Sequence, residues 1–194
     1  MRDNIEKAKE LLAKADALFS SADYESSYEI YEEAVELFEL ESDWENYVGA
    51  RSKIGRFYIK TTKYDDAIYY INETIEIGLL ELDPTHELIG YSYDHLGTCY
   101  YYKAVFHTAI EFYRKGYEIR LINFGEHHEM IGRSYNNIGN CYLSLDNIEL
   151  ALNYYHQALH IRKVILAGNN PSFAYTYAAT VSYTHLTLPT ILRV

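Results

Sequence analysis

The stretch Ser92-Tyr-Asp-His-Leu-Gly-Thr-Cys-Tyr100 returns as Ser134-Tyr-Asn-Asn-Ile-Gly-Asn-Cys-Tyr142, with Gly97 and Gly139 standing 42 residues apart. A weaker copy keeps the register a further 42 residues upstream, where Ile54, Gly55 and Tyr58 fall in line. Within the middle copy Tyr93, Leu96, Gly97 and Tyr100 recur at i, i+3, i+4 and i+7, which is one buried stripe of an α-helix. A period of this size marks a unit that cannot bury its apolar face alone and stacks on copies of itself.

The second half of each unit keeps the same step. Ala67, Ala109 and Ala151 align, as do Ile71, Tyr113 and Tyr155, and Ile77, Ile119 and Ile161. In the first unit Ser27, Tyr31 and Ala34 take the places of Ala67, Ile71 and Thr74, at a step of 40. The pattern Leu/Ile-Gly-x-x-Tyr, then a small residue, then an aromatic, resembles the tetratricopeptide repeat, a helix-turn-helix. The long period and the wording "SYNNIGNCY" and "ALNYYHQALHIR" are similar to its kinesin-light-chain-like variety. The resemblance covers nearly the whole chain and implies an all-α fold, an α-solenoid of antiparallel helix pairs wound as a right-handed superhelix. Helix pairs are expected over about residues 5–41, 42–82, 83–125 and 126–168, with the first half of a fifth over 169–180.

Local signals mark the joints. Ser42 with Glu45 reads as a capping box, and Trp44 as a staple at that corner. Asp83 suits an N-cap with Pro84 in the first helical position, and Asp146 with Glu149 repeats the capping logic. Thr61-Thr62-Lys63 reads as a turn and Gly125 as a helix stop. Asn170-Pro171 announces the fifth unit, with Phe173 and Tyr177 one period after Ile131 and Tyr135.

The register fails after Thr180. Val181-Ser-Tyr-Thr-His-Leu-Thr-Leu-Pro-Thr190 resembles the translation of a transposon-end sequencing adapter, and Ile191, Leu192, Arg193 and Val194 fit the codons expected behind it. Residues 181–194 are therefore read as a non-native tail, and the natural chain is expected to continue differently past Thr180. Amplifying the locus from source DNA tests this, since an uninterrupted natural frame through "VSYTHLTLPT" would remove it. No function is read from His185, Pro189 or Arg193.

Composition narrows the class. With 194 residues, 48% of them hydrophobic, the chain can bury a continuous core, and it has no apolar run of the ~20 residues a membrane helix needs. The start lacks the apolar segment of a secretory signal, so a cytoplasmic protein is expected. A net charge of −11 argues against a nucleic-acid footprint. Cys99 and Cys141 occupy one repeat position and read as small core residues. The 22 tyrosines suit a helical array as flat core pieces whose hydroxyls reach the surface.

The positions beside the glycine stripe are candidates for binding. They are Tyr91, Asp94, His95, Thr98 and Tyr102 in the third unit; Arg133, Asn136, Asn137, Asn140 and Ser144 in the fourth; and Gly49, Ser52, Lys53, Arg56 and Lys60 in the second. If successive first helices line the inside of the superhelix, as the resemblance implies, these residues form one concave wall. Kinesin-light-chain-like repeats use asparagines at such positions, matched here by Asn136, Asn137 and Asn140. An amide side chain both donates to and accepts from an extended backbone, although a merely solvated polar face reads the same way in sequence. Lys53, Arg56 and Lys60 put three positive charges on one helix face of an acidic protein, which suggests an acidic or carboxylate-bearing peptide. Pairing with acidic side chains of a neighbouring helix is the alternative.

Enzyme chemistry is not expected. His156 and His160 stand at i, i+4 like zinc ligands, but no third ligand is evident, and neither a metal nor a cofactor is assigned. His127-His128-Glu129 lies at a helix start, where capping or solvation is the reading. Gly55, Gly97 and Gly139 each stand alone inside a helix and make no phosphate loop. The leading expectation is a protein-interaction module that takes a peptide or helix of a partner in its concave groove. The alternatives are a sensory or recruiting arm of a larger enzyme with a caspase-like, kinase or cyclase domain, and a structural spacer.

Overall fold

The computed structural model describes residues 2–165, and all regular structure in that span is helical. The helices are α1 (Arg2–Ser20), α2 (Tyr24–Leu40), α3 (Trp44–Lys60), α4 (Tyr64–Glu81), α5 (Glu87–Tyr102), α6 (Phe106–Phe124), α7 (Glu129–Ser144) and α8 (Ile148–Ile165). Each packs on the helix before and after it in the chain, and α3 also packs directly on α5. The result is an all-α solenoid of helix pairs, with odd-numbered helices forming one wall and even-numbered helices the other. The expected fifth unit, the end of the fourth pair near Ala167-Gly168 and the tail 181–194 lie outside the described residues.

The turns repeat as faithfully as the helices. After α1 the amide of Asp23 bonds to the carbonyl of Leu18 and that of Ala22 to Phe19, the two hydrogen bonds of a Schellman motif. The same pair closes α2, α3, α5 and α7. In each motif one residue takes the left-handed conformation: Ala22, Ser42, Thr62, Ala104 and Asp146, with φ of 65, 53, 61, 59 and 58°. None is glycine, so every one of these turns carries backbone strain that packing overrides.

This motif moves the caps that the sequence suggested. Ser42 and Asp146 occupy the left-handed position, so the next residue becomes the N-cap. Asp43 accepts from the Asn46 amide at 3.3 Å, and Asn147 from the Leu150 amide at 3.2 Å. Asp83 does not cap α5 either. Its carboxylate accepts from the Thr85 amide at 2.8 Å in a turn before the helix. His86 caps α5 instead, its Nδ1 accepting from the Leu88 amide, and His128 does the same for α7 with Met130. Gly125, at φ 74°, ends α6.

The recurring glycines sit where paired helices touch. A Cβ built on Gly97 would stand 2.7 Å from the Tyr113 ring, and one on Gly139 would meet Tyr155 at 2.8 Å. The core passes from unit to unit without a break: Tyr58 packs on both the first and second clusters of buried residues, and Tyr100 stacks on Phe112 between the second and third. Cys99 and Cys141 are buried in it as free thiols, pushed up to about 12 by burial.

Candidate functional site

Three of the four described helix pairs have a tyrosine hydroxyl contact that runs from the second helix to the wall of α1, α3, α5 and α7. In the first unit the Tyr31 hydroxyl on α2 donates to Asp16 on α1 at 2.6 Å. In the third, Tyr113 and Thr98 share a hydroxyl–hydroxyl bond of 3.2 Å. In the fourth, Tyr155 donates to Asn140 Oδ1 at 2.7 Å. The second unit breaks the series, because the tyrosine position holds Ile71 and the wall position holds Arg56. An isoleucine offers no hydroxyl. The Arg56 guanidinium instead lies over the Phe19 ring at 4.1 Å, and its buried Nε has no hydrogen-bond partner.

Beside it lies a cavity of about 360 Å³ between α3 and α5, lined by Arg56, Lys60, His95, Thr98 and Tyr102 together with Ile59, Thr62 and Tyr64. Tyr64 stacks on Tyr102 with ring centroids 5.4 Å apart and walls one side. The Nδ1 of His95 is also buried and without a hydrogen-bond partner. Burial holds the His95 imidazole down at about 4, and the charges of Arg56, Arg120 and Arg133 add to this, so it is neutral at pH 7. The cavity thus presents two fixed positive charges, a neutral imidazole and several hydroxyls.

The structure brings five of the eleven sequence candidates into this cavity and distributes the others. Lys53 is bound by both carboxylate oxygens of Asp16, at 2.7 and 2.6 Å, so its charge is neutralised within the wall. Asn136 is only 4% exposed and belongs to the interior, which corrects its assignment to an open groove. Its position equals that of Ser52 and Asp94, which also turn inward. Ser52 bonds Ser92 across α3 and α5 at 3.0 Å, and Asp94 forms a buried ion pair with Arg120. Tyr91 lies under the Arg120 guanidinium, at 5.3 Å from its ring. Arg133 is exposed on α7, with Asn137 and Asn140 half-buried beyond it on the same helix.

Spacing alone could not have found Tyr64, Ile59 and Thr62, because they come from the end of one helix, a turn and the start of the next. Position and charge already pointed to Arg56 together with Lys53, and the difference between Ile71 and the aligned tyrosines was the signal that could have set Arg56 apart from Lys53. A larger cavity of about 500 Å³, lined among others by Tyr117, Tyr135, His156 and His160, lies against α6, α7 and α8. Its open side chains carry no comparable pair of buried unpartnered nitrogens. Among the described residues no group of three His, Cys, Asp or Glu is placed to hold a metal, and no helix is long and apolar enough to cross a membrane.

Stacked helix pairs with an uncovered wall define a protein–protein interaction repeat module. The chain belongs to the tetratricopeptide repeat family, whose model matches residues 47–122 and 106–163. Among curated proteins none matches. Similar solved structures include BtubC (BKLC) from P. vanneervenii, 19% identical over 95% of this chain and 80% of that one, with a TM-score of 0.80. A putative kinesin light chain of Podosopora anserina with nearly identical TPR-like repeats is 14% identical over 93% and 87%, with a TM-score of 0.75. The apo form of RapI is 16% identical over 93% and 69%, with a TM-score of 0.74. At these identities the likeness is one of fold.

Proposed function

We propose that the wall of α3, α5 and α7 is a concave groove that binds an extended acidic segment of a partner protein, with one carboxylate held between Arg56 and Lys60. The observation that carries this reading is the buried, unpartnered Nε of Arg56, in the unit whose core tyrosine is replaced by Ile71. An orphaned buried donor is unfavourable by about 1–3 kcal/mol, and a carboxylate oxygen would relieve it with a charge-assisted bond. His95 supports the same reading, since a neutral ring with a free Nδ1 can take part in a hydrogen bond to the ligand without repelling a peptide backbone. Exposed Tyr102 and the hydroxyl of Thr98 flank the carboxylate site. Asn137 and Asn140 continue the wall with amides suited to a peptide backbone. We infer a cytoplasmic interaction protein without catalysis of its own.

Fluorescence anisotropy with a labelled glutamate-rich peptide tests the proposal. Arg56→Ala is expected to weaken binding ~10-fold or more, the equivalent of about 1.4 kcal/mol. Lys53→Ala is expected to change it little, because Asp16 already holds that charge. Equal affinity for wild type and Arg56→Ala would overturn the assignment.

A further inference from the structure

The outer ends of α2, α4, α6 and α8 repeat a second pattern, independent of the cavity just described. It reads Glu36-Leu-Phe-Glu-Leu40, Glu76-Ile-Gly-Leu-Leu80, Glu118-Ile-Arg-Leu-Ile122 and His160-Ile-Arg-Lys-Val164. The second residue of each, Leu37, Ile77, Ile119 or Ile161, packs inward. The fifth does not: Leu40, Leu80, Ile122 and Val164 are 72, 79, 67 and 55% exposed. A large apolar side chain left in water once is unremarkable, but here it stands at one repeat position in all four described units. Because equivalent positions lie at equivalent places on successive units, these four residues form a row along the solenoid.

Glutamates accompany the row. Glu36, Glu76 and Glu118 precede the apolar residue by four positions, hence on the same helix face, and all three are exposed. No ion pair or hydrogen bond engages their carboxylates among the described residues. In the last two units the acidic position becomes the rim of a groove: Glu118 and His160 border neighbouring cavities of about 300 and 500 Å³ that share Tyr117, Tyr135 and Gln157. A ladder of apolar contacts beside unpaired negative charges defines its complement by charge and polarity. A second copy of this chain, with a net charge of −11, would bring like charges together, and an anionic bilayer would be repelled by the same row.

We propose that this outer row is a second docking surface, which takes a basic amphipathic helix of a partner protein, its apolar side chains on Leu40, Leu80 and Ile122 and its lysines or arginines on Glu36, Glu76 and Glu118. Binding there leaves the groove of α3, α5 and α7 open, so the solenoid bridges an acidic segment on one wall and a basic helix on the other.

The test uses the full chain and a labelled synthetic helix of leucine and lysine, read by anisotropy at low and moderate salt. Leu80→Ser with Ile122→Ser is expected to weaken binding ~10-fold or more without altering the helical circular dichroism. Glu76→Lys with Glu118→Lys is expected to do the same and to confer binding of a leucine and glutamate helix. Glu10→Lys with Glu25→Lys changes net charge equally away from the row and is expected to leave affinity within ~2-fold. Equal losses in that control, or retained affinity in the serine variant, would reduce the effect to unspecific charge attraction and overturn the proposal. A loss on Arg56→Ala would move the probe to the opposite wall and overturn it while leaving the acidic-peptide assignment untouched. Sedimentation showing a dimer that the serine variant dissolves would overturn it in favour of self-association.

Discussion

Two residues of the third unit, Gly97 and His95, carry the consequences of close packing most directly. Gly97 leaves the Tyr113 ring no room for a methyl group, since the ring carbons would stand 2.7 Å from it. Tyr113 is buried and bonded through its hydroxyl to Thr98, so it cannot swing aside. Gly97→Ala is therefore expected to destabilise the chain by about 1–3 kcal/mol, seen as a lower midpoint of thermal or urea unfolding. His95 makes a prediction in pH. Its imidazole is held at about 4 in the folded chain, below the ordinary 6.5, because burial and three arginines disfavour the charged form. Its contribution to stability is thus complete above pH 6.5 and is lost as pH falls toward 4, by at most about 3 kcal/mol. Unfolding measured across that window should show a steeper loss for wild type than for His95→Gln.

At the scale of the element, the turns govern where helices begin. Five non-glycine residues sit in left-handed positions, and their shared Schellman hydrogen bonds hold them there. Ala104→Gly relieves one such position at an exposed turn and is expected to stabilise by about 0.5–1 kcal/mol, raising the melting temperature by a few degrees. Gly125 gives the converse. A Cβ there would meet nothing within 4 Å, yet φ is 74°, so Gly125→Ala is expected to destabilise by about 1 kcal/mol through backbone strain alone. Differential calorimetry of the two variants checks both signs.

Across the whole molecule, polar pairs join unit to unit inside an otherwise apolar core. Arg120 is only 1% exposed; it pairs with Asp94 on α5 and donates to Ser134 on α7 at 3.1 Å, which ties the third unit to the fourth. Gly116 makes room for this arrangement, because a Cβ there would stand 2.5 Å from Asp94 Oδ1. Desolvation pushes the Asp94 carboxyl upward while Arg120 opposes it. Arg120→Ala leaves that carboxylate buried without its partner, and a loss of about 3–5 kcal/mol is expected. A solenoid transmits such damage mainly to its neighbours, so hydrogen exchange should rise in α5 to α8 while α1 to α3 stay protected.

What the sequence determined by itself was the repeat: Gly55, Gly97 and Gly139 in register, the apolar stripes around them, and so the stacked helices and the role of Cys99 and Cys141. These follow from periodicity, which is local in the chain and needs no partner to be read. The caps were less legible: a Schellman turn shifts the cap by one residue to Asp43 and Asn147, and a turn closed by the Asp83 carboxylate on the Thr85 amide delays the start of α5 to His86. The site needed tertiary structure more fully still. Lys53 and Arg56 look alike in sequence, yet both Asp16 carboxylate oxygens hold the Lys53 ammonium, while Arg56 stacks on Phe19 and keeps its Nε without a hydrogen-bond partner. Asn136 and Asn137 are adjacent, yet helical rotation against the neighbouring unit buries the first. Charge available to a ligand is a property of what already surrounds the side chain, and only the packing of one helix pair on the next decides that.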